Sequence, residues 1–324
     1  MKNLAILVPK GEVMPNAIMG AYFLLTQANF ALMQKGGSPV FDLKILGYQK
    51  ESLLYDGSFS VKTEHFNKTE TIFDLLIIPG FTCEMEGPIR QNEQLITWIK
   101  QQHLEHGTEL ASMCTGAFLL AATGLLDGKK CTSHWAFESS FRALFPQVNF
   151  QPEYIITDDK GFYTSGGAYS SLNLMLYLIE KFCGKETAVW ISKVFQLDID
   201  RQSQKPFVIF NRQKAHKDES IGQAQSYIEK HFAKPLTVAE LARRFNFSRR
   251  NFIRRFKEAT GNTPIEYIQR VRMEAAKRLL ETTARSIEEV IYSTGYSDGK
   301  TFRALFKKMT GCLPSEYRNR YGRG

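Results

Sequence analysis

From residue 3 to about residue 200, apolar runs of strand length alternate with stretches whose apolar residues recur at helical spacing. LAILV, DLLIIPG and TELASMC predict buried parallel strands, and NAIMGAYFLLTQANFALMQKG, EQLITWIKQQHLEHG and SSLNLMLYLIEKFCG predict helices. Strands that are apolar on both faces need cover on both faces, so the alternation predicts an α/β domain with helices on either side of a parallel sheet. The first apolar run is broken by Pro9, Lys10 and Gly11 and falls far short of the ~20 residues a bilayer requires. It reads as a buried first strand, with no membrane span or leader peptide expected. Residues 201–219 (RQSQKPFVIFNRQKAHKDE) lose the pattern, and beyond residue 220 every segment reads as helix. The expected organisation is an α/β domain over 1–200, a linker over 201–219 and an all-α domain over 220–324.

The helical third contains a repeat. TVAELARRFNFSRRNFIRRFKEATGNTPIEY (237–267) parallels SIEEVIYSTGYSDGKTFRALFKKMTGCLPSEY (286–317), with Phe252/Phe302, Phe256/Phe306, Gly261/Gly311, Pro264/Pro314 and Tyr267/Tyr317 in register. Each copy predicts a helix, a tight turn and a second helix. Thr237 with Glu240, and Ser286 with Glu289, form capping boxes, and Ser248 and either Ser297 or Asp298 cap the second helices. Gly261 and Gly311 suit a left-handed helix end, after which Pro264 and Pro314 open the next segment. The intervening PIEYIQRVRMEAAKRLLETT predicts a connecting helix of about 18 residues, or ~27 Å.

Charge then separates the two parts. The net charge is +9, yet residues 211–324 hold 24 Lys and Arg against 12 Asp and Glu, leaving residues 1–210 with 18 against 21. A compact basic module attracts polyanions, nucleic acid first. In each second helix the Phe pair faces inward and the rest is basic or polar, as a helix that reads a major groove requires. The outward set is Arg249, Arg250, Asn251 and Arg254 in the first helix, and Lys300, Thr301, Arg303 and Lys307 in the second. Residues 221–320 resemble the DNA-binding domain of the AraC/XylS regulators. The resemblance implies double-stranded DNA as partner, RNA polymerase as a further one, and base contacts from Arg250, Arg254, Lys300 and Thr301. Ala304 departs from the polar or basic residue usual at its position.

In the front domain, TELASMCTGAFLLAATGLLDGKKCTSHW ends a strand at Cys114 and starts a helix at once with Thr115, Gly116 and Ala117. A nucleophile among small residues at a strand-to-helix turn makes an elbow, and helix N–H groups beside a thiol lower its pKa. His134 is expected in the same cleft as a base or hydrogen-bond partner of the thiol. The five cysteines (Cys83, Cys114, Cys131, Cys183, Cys312) show no CxxC spacing, which points to a reducing cytoplasm and to no metal or other cofactor.

This stretch, with FDLLIIPGF and GFYTSGGAYSSLNLMLYLIEKFCGKETA, resembles the PfpI-type branch of the class I glutamine amidotransferase-like superfamily. The order of domains resembles the GlxA group of regulators. The resemblance implies a flavodoxin-like parallel-sheet sandwich that dimerises, with a small-molecule effector near Asn16, Gly80, Phe81, Cys114, Thr115, Gly116 and His134. Catalytic relatives carry a carboxylate where this chain has Pro15 or Asn16, and a second glycine where it has Phe81. A binding pocket without catalysis is therefore expected, in a cytoplasmic homodimeric regulator. A thiol hydrolase or amidase using Cys114 and His134, or a redox sensor at Cys114, is the alternative.

Overall fold

A computed structural model describes residues 1–82, 84–210, 213–214 and 216–322; Cys83 and part of the expected linker lie outside the described residues. The chain divides into two compact units, Met1–Gln204 and Lys205–Gly324.

The first unit is built on seven strands: β1 (Lys2–Val8), β2 (Phe41–Gly47), β3 (Glu64–His65), β4 (Leu75–Ile78), β5 (Glu109–Met113), β6 (Ile156–Asp159) and β7 (Phe162–Ser165). They lie in the order β6-β7-β5-β4-β1-β2-β3. All neighbours are parallel except β6 and β7. Leu4 pairs with Leu75 and Ile77 with Ala111, so the three most apolar runs form the centre, and every residue of β4 is buried. Helices α1 (Pro15–Gln34), α4 (Ser170–Cys183) and α5 (Lys185–Val194) pack together, as do α2 (Glu93–His106) and α3 (Ala117–Ala122). This is the mixed, largely parallel α/β sandwich the alternating pattern predicts. A separate hairpin, Glu51–Leu54 with Phe59–Lys62, carries weaker apolar alternation.

Helix α1 is apolar nearly all round. Ala17, Ile18, Ala21, Leu24, Leu25 and Ala28 are buried, whereas Met19, Tyr22, Phe23, Phe30 and Met33 stay exposed as a second stripe at helical spacing.

The second unit is helical: α6 (Glu219–His231), α7 (Val238–Arg244), α8 (Arg249–Thr260), α9 (Pro264–Thr282), α10 (Ile287–Ser293), α11 (Gly299–Thr310) and α12 (Pro314–Tyr321). Both capping boxes form, Ser248 caps α8, and Asp298 rather than Ser297 caps α11. A third box, Thr263 with Glu266, starts α9 behind Pro264. Gly261 and Gly311 close their helices at φ 71 and 80. The helix-to-helix turns each bend at one left-handed residue, Asn246 (φ 58) and Gly295 (φ 80).

Two apolar cores result, and α9 feeds both. Ile268 and Val271 join Leu241, Phe252 and Phe256, while Met273, Ala276 and Leu280 join Ile291, Phe302 and Phe306. The repeat extends to a polar clasp, since the Tyr267 hydroxyl donates to Glu229 at 2.7 Å and the Tyr317 hydroxyl to Glu281 at 2.6 Å.

The segment expected as linker is shared out. Ser203 bridges to Tyr154 and Gln204 is buried within the first unit. In the second unit, the Lys277 ammonium donates to the Val208 carbonyl at 2.6 Å and to Glu274, which also accepts the Phe210 amide. Asp218 is already the cap of α6.

Candidate functional site

Adjacent strands β4 and β5 run parallel and end side by side, so Pro79–Phe81 and Cys114–Gly116 meet at the carboxyl ends of the central strands. Cys114 takes φ 54, the left-handed region that an L-residue with a Cβ avoids, and thus forms the expected elbow. Two glycines permit the close approach. A Cβ on Gly116 would lie 2.5 Å from the Pro79 carbonyl oxygen, and one on Gly80 would lie 2.8 Å from the Cβ of Cys114.

The thiol accepts the Ala168 amide at 3.5 Å, and the Thr115 amide and hydroxyl also favour its charged form. Burial outweighs these donors and raises the Cys114 pKa above its ordinary value. The sequence expectation that helix N–H groups lower it is overruled because the sulfur is nearly sealed from water. Burial also lowers the His134 pKa, leaving a neutral imidazole.

The expected partnership between His134 and Cys114 does not form, and no hydrogen bond joins them among the described residues. Instead, Nδ1 of His134 accepts the Ala136 amide at 3.1 Å, and the ring packs closely on Gly167, where a Cβ would sit 2.5 Å from Cδ2. Phe81 is also committed internally. Its amide donates to the Thr115 hydroxyl at 2.6 Å, its carbonyl accepts from the same hydroxyl, and its ring is buried near Gly11 and Pro88. The amide of Phe81 is therefore not a free oxyanion donor. Asn16 occupies the first turn of α1, half-buried, and the side chain over Gly80 is that of Met14.

Sequence reasoning missed the other wall. Ser165 ends β7, and the turn Gly166–Gly167–Ala168 follows, with Ala168 at φ 43. The signal was present in the small-residue run SGGA. Its meaning required knowing that Cys114, His134 and Gln204 converge there.

In the second unit, the second helix of each pair presents the predicted face. Phe252, Phe256, Phe302 and Phe306 are fully buried. Arg249, Arg250, Arg254, Lys300, Thr301, Arg303 and Lys307 are exposed, and Asn251 is half-buried. Arg254 is held in its own helix: Nη1 donates to both Glu258 oxygens at 2.9 Å and Nη2 to the Asn251 side-chain oxygen at 3.0 Å. Arg303 reaches Glu288 at 3.5 Å. Ala304 is exposed and offers no hydrogen bond from its side chain.

Comparison with known proteins matches both halves. Residues 241–320 match a helix-turn-helix domain family, and residues 47–181 match the DJ-1/PfpI family. The HTH-type transcriptional regulator CdhR of Pseudomonas aeruginosa is 29% identical over 247 residues, covering 75% of this chain and 71% of the relative. The regulator GlxA of Rhizobium meliloti is 28% identical over 223 residues, 67% of each protein. A Vibrio parahaemolyticus protein, solved as a candidate transcriptional regulator, is 25% identical with a TM-score of 0.52, covering 60% of this chain and 98% of that one. The chain therefore carries a DJ-1/PfpI-family domain over 47–181 and an AraC-type helix-turn-helix domain over 241–320, and along two thirds or more of its length it is similar to the HTH-type transcriptional regulators CdhR and GlxA.

Proposed function

We propose that this chain is a sequence-specific DNA-binding transcription regulator that answers to a small molecule held at the Cys114 turn. One observation carries the DNA reading: two helices of the same construction, α8 and α11, each bury a Phe pair and expose a basic face. Arg249, Arg250, Asn251 and Arg254 serve the first groove contact, and Lys300, Thr301, Arg303 and Lys307 the second.

The elbow binds rather than turns over. Its thiol is protonated, its histidine is committed to Ala136, and the Phe81 amide is used by Thr115. Asn16, Gly80, Thr115, Gly116 and His134 frame the effector together with Cys114. A second copy of the chain is the partner at the apolar stripe of α1, whose Met19, Tyr22, Phe23, Phe30 and Met33 form a face suited to a symmetric contact. The regulator acts in the cytoplasm, with RNA polymerase as its downstream partner.

The test is duplex binding by residues 205–324. About 6–10 phosphate contacts predict that log affinity falls against log salt with a slope of that number times ~0.9. Arg254→Ala or Arg250→Ala lowers affinity for a selected operator by ~1–3 kcal/mol and relaxes base choice. Binding indifferent to salt overturns the reading, and an equal loss on every sequence reassigns these arginines to the phosphates.

A further inference from the structure

The turn after β7 serves two masters. Its Ala168 amide donates to Cys114 Sγ at 3.5 Å, and its Gly167 amide donates to the Gln204 side-chain oxygen at 2.8 Å. Gln204 is the last residue of the first unit and only 1% exposed. Its amide nitrogen lies 2.9 Å from the carbonyls of Ser133 and Pro152 and 3.1 Å from that of Tyr154. Its backbone amide donates to the Glu153 carbonyl at 2.9 Å. Gly166 leaves the space it fills, since a Cβ there would sit 2.3 Å from the Gln204 Cδ.

Ser133 ties the same side chain back to the elbow. Its carbonyl receives Gln204 while its hydroxyl donates to the Cys114 carbonyl at 2.8 Å. Both routes from Cys114, through Ala168 and through Ser133, therefore end on one buried amide. The next residue, Lys205, opens the DNA-binding unit. An exposed, slack linker would be indifferent to the elbow, whereas this one begins at a side chain the elbow holds.

We propose that Gln204 is a latch, the positioning residue through which occupation of the Cys114 turn reaches the DNA-binding unit. This rests on the reading that the effector binds at Cys114. Seated, Gln204 fixes residues 201–204 in the first unit. A ligand that draws on the Ala168 amide or displaces the Cys114 loop moves the Gly167 donor and frees the segment that leads into Lys205.

The experiment is hydrogen exchange on the full chain, read over residues 201–204, with affinity for a duplex selected in vitro by the wild-type chain. Gln204→Ala raises exchange there by about tenfold and changes duplex affinity by about threefold or more, while exchange in β5 stays as in wild type. Gly166→Ala, which expels the side chain by collision, gives the same result, and the double variant adds nothing beyond Gln204→Ala. Faster exchange with unchanged affinity overturns the latch, as does unchanged exchange. The occupancy probe is iodoacetamide, applied by prolonged incubation above about pH 9 to a chain carrying Cys83→Ser, Cys131→Ala, Cys183→Ser and Cys312→Ser, so that Cys114 is the one thiol left to take the adduct. The adduct raises exchange over 201–204 in that background and not further once Gln204 is Ala. If the Gln204 variants act and the adduct does not, Gln204 holds the segment that leads into Lys205 but the Cys114 turn is not its input, which overturns the latch and the effector reading at Cys114 while leaving the DNA reading untouched.

Discussion

Cys114 shows how one residue's surroundings reverse its textual promise. The elbow geometry costs about 1–3 kcal/mol of backbone strain, which the packed sheet and the two close glycines sustain. Strain of that kind marks a functional turn, yet burial keeps the thiol protonated. Alkylation of Cys114 by iodoacetamide, followed by mass spectrometry, is therefore slow at neutral pH and accelerates only above the ordinary thiol value of 9.0. A fast reaction at neutral pH would restore the thiol-enzyme and redox readings. Stability has the matching dependence: the raised folded pKa contributes stability that is complete below 9.0 and lost as pH rises through the folded value. His134 acts with the opposite sense, because its folded pKa is lowered. Its contribution is present above the ordinary 6.5 and lost as pH falls through the folded value. Thermal stability of the front unit should fall towards both ends of the pH range, and Cys114→Ser should remove only part of the alkaline loss, because burial also raises the Cys131 thiol to about 12 and the Cys183 thiol to about 11.

At the scale of elements, what was legible was local. Hydrophobic period placed the central strands and the long helices, and caps three residues apart, such as Thr237 with Glu240, fixed helix starts to the residue. What was illegible depended on partners far along the chain. Gln204 reads as one polar residue in a polar stretch until Gly167, Ser133 and Pro152 are brought to it. The same holds for Val208 and Phe210, whose place on α9 is decided by Lys277 and Glu274 more than 60 residues later. The Lys277 side chain is 7% exposed, so removing its carbonyl partner leaves a buried ammonium with Glu274 alone. A fragment beginning at residue 211 should thus be less stable than one beginning at 205, by about 1.5–3 kcal/mol for the lost charge-assisted bond. Urea melts of the two fragments measure the difference, and equal midpoints and slopes would mean that residues 205–210 are only a passing strand.

For the whole molecule, assembly follows from the faces left uncovered. The front unit alone, residues 1–204, should sediment as a dimer, and Phe23→Lys with Phe30→Lys on the α1 stripe should return it to monomer without loss of secondary structure. The DNA-binding unit alone should sediment as a monomer, because its two cores are already closed upon α9. That shared helix sets a rule of phase. Each residue added within an α-helix turns whatever follows by about 100° and carries it about 1.5 Å along the axis. A single residue inserted beside Arg272, which donates to the Phe232 and Lys234 carbonyls and lies over the Tyr296 ring, would turn the Met273–Leu280 face away from the Ile268–Val271 face and swing the second helix pair out of line with the first. On the DNA reading proposed above, the length of α9 sets both the angle and the distance between the two reading helices, so any change in that length changes the half-site spacing the chain can match.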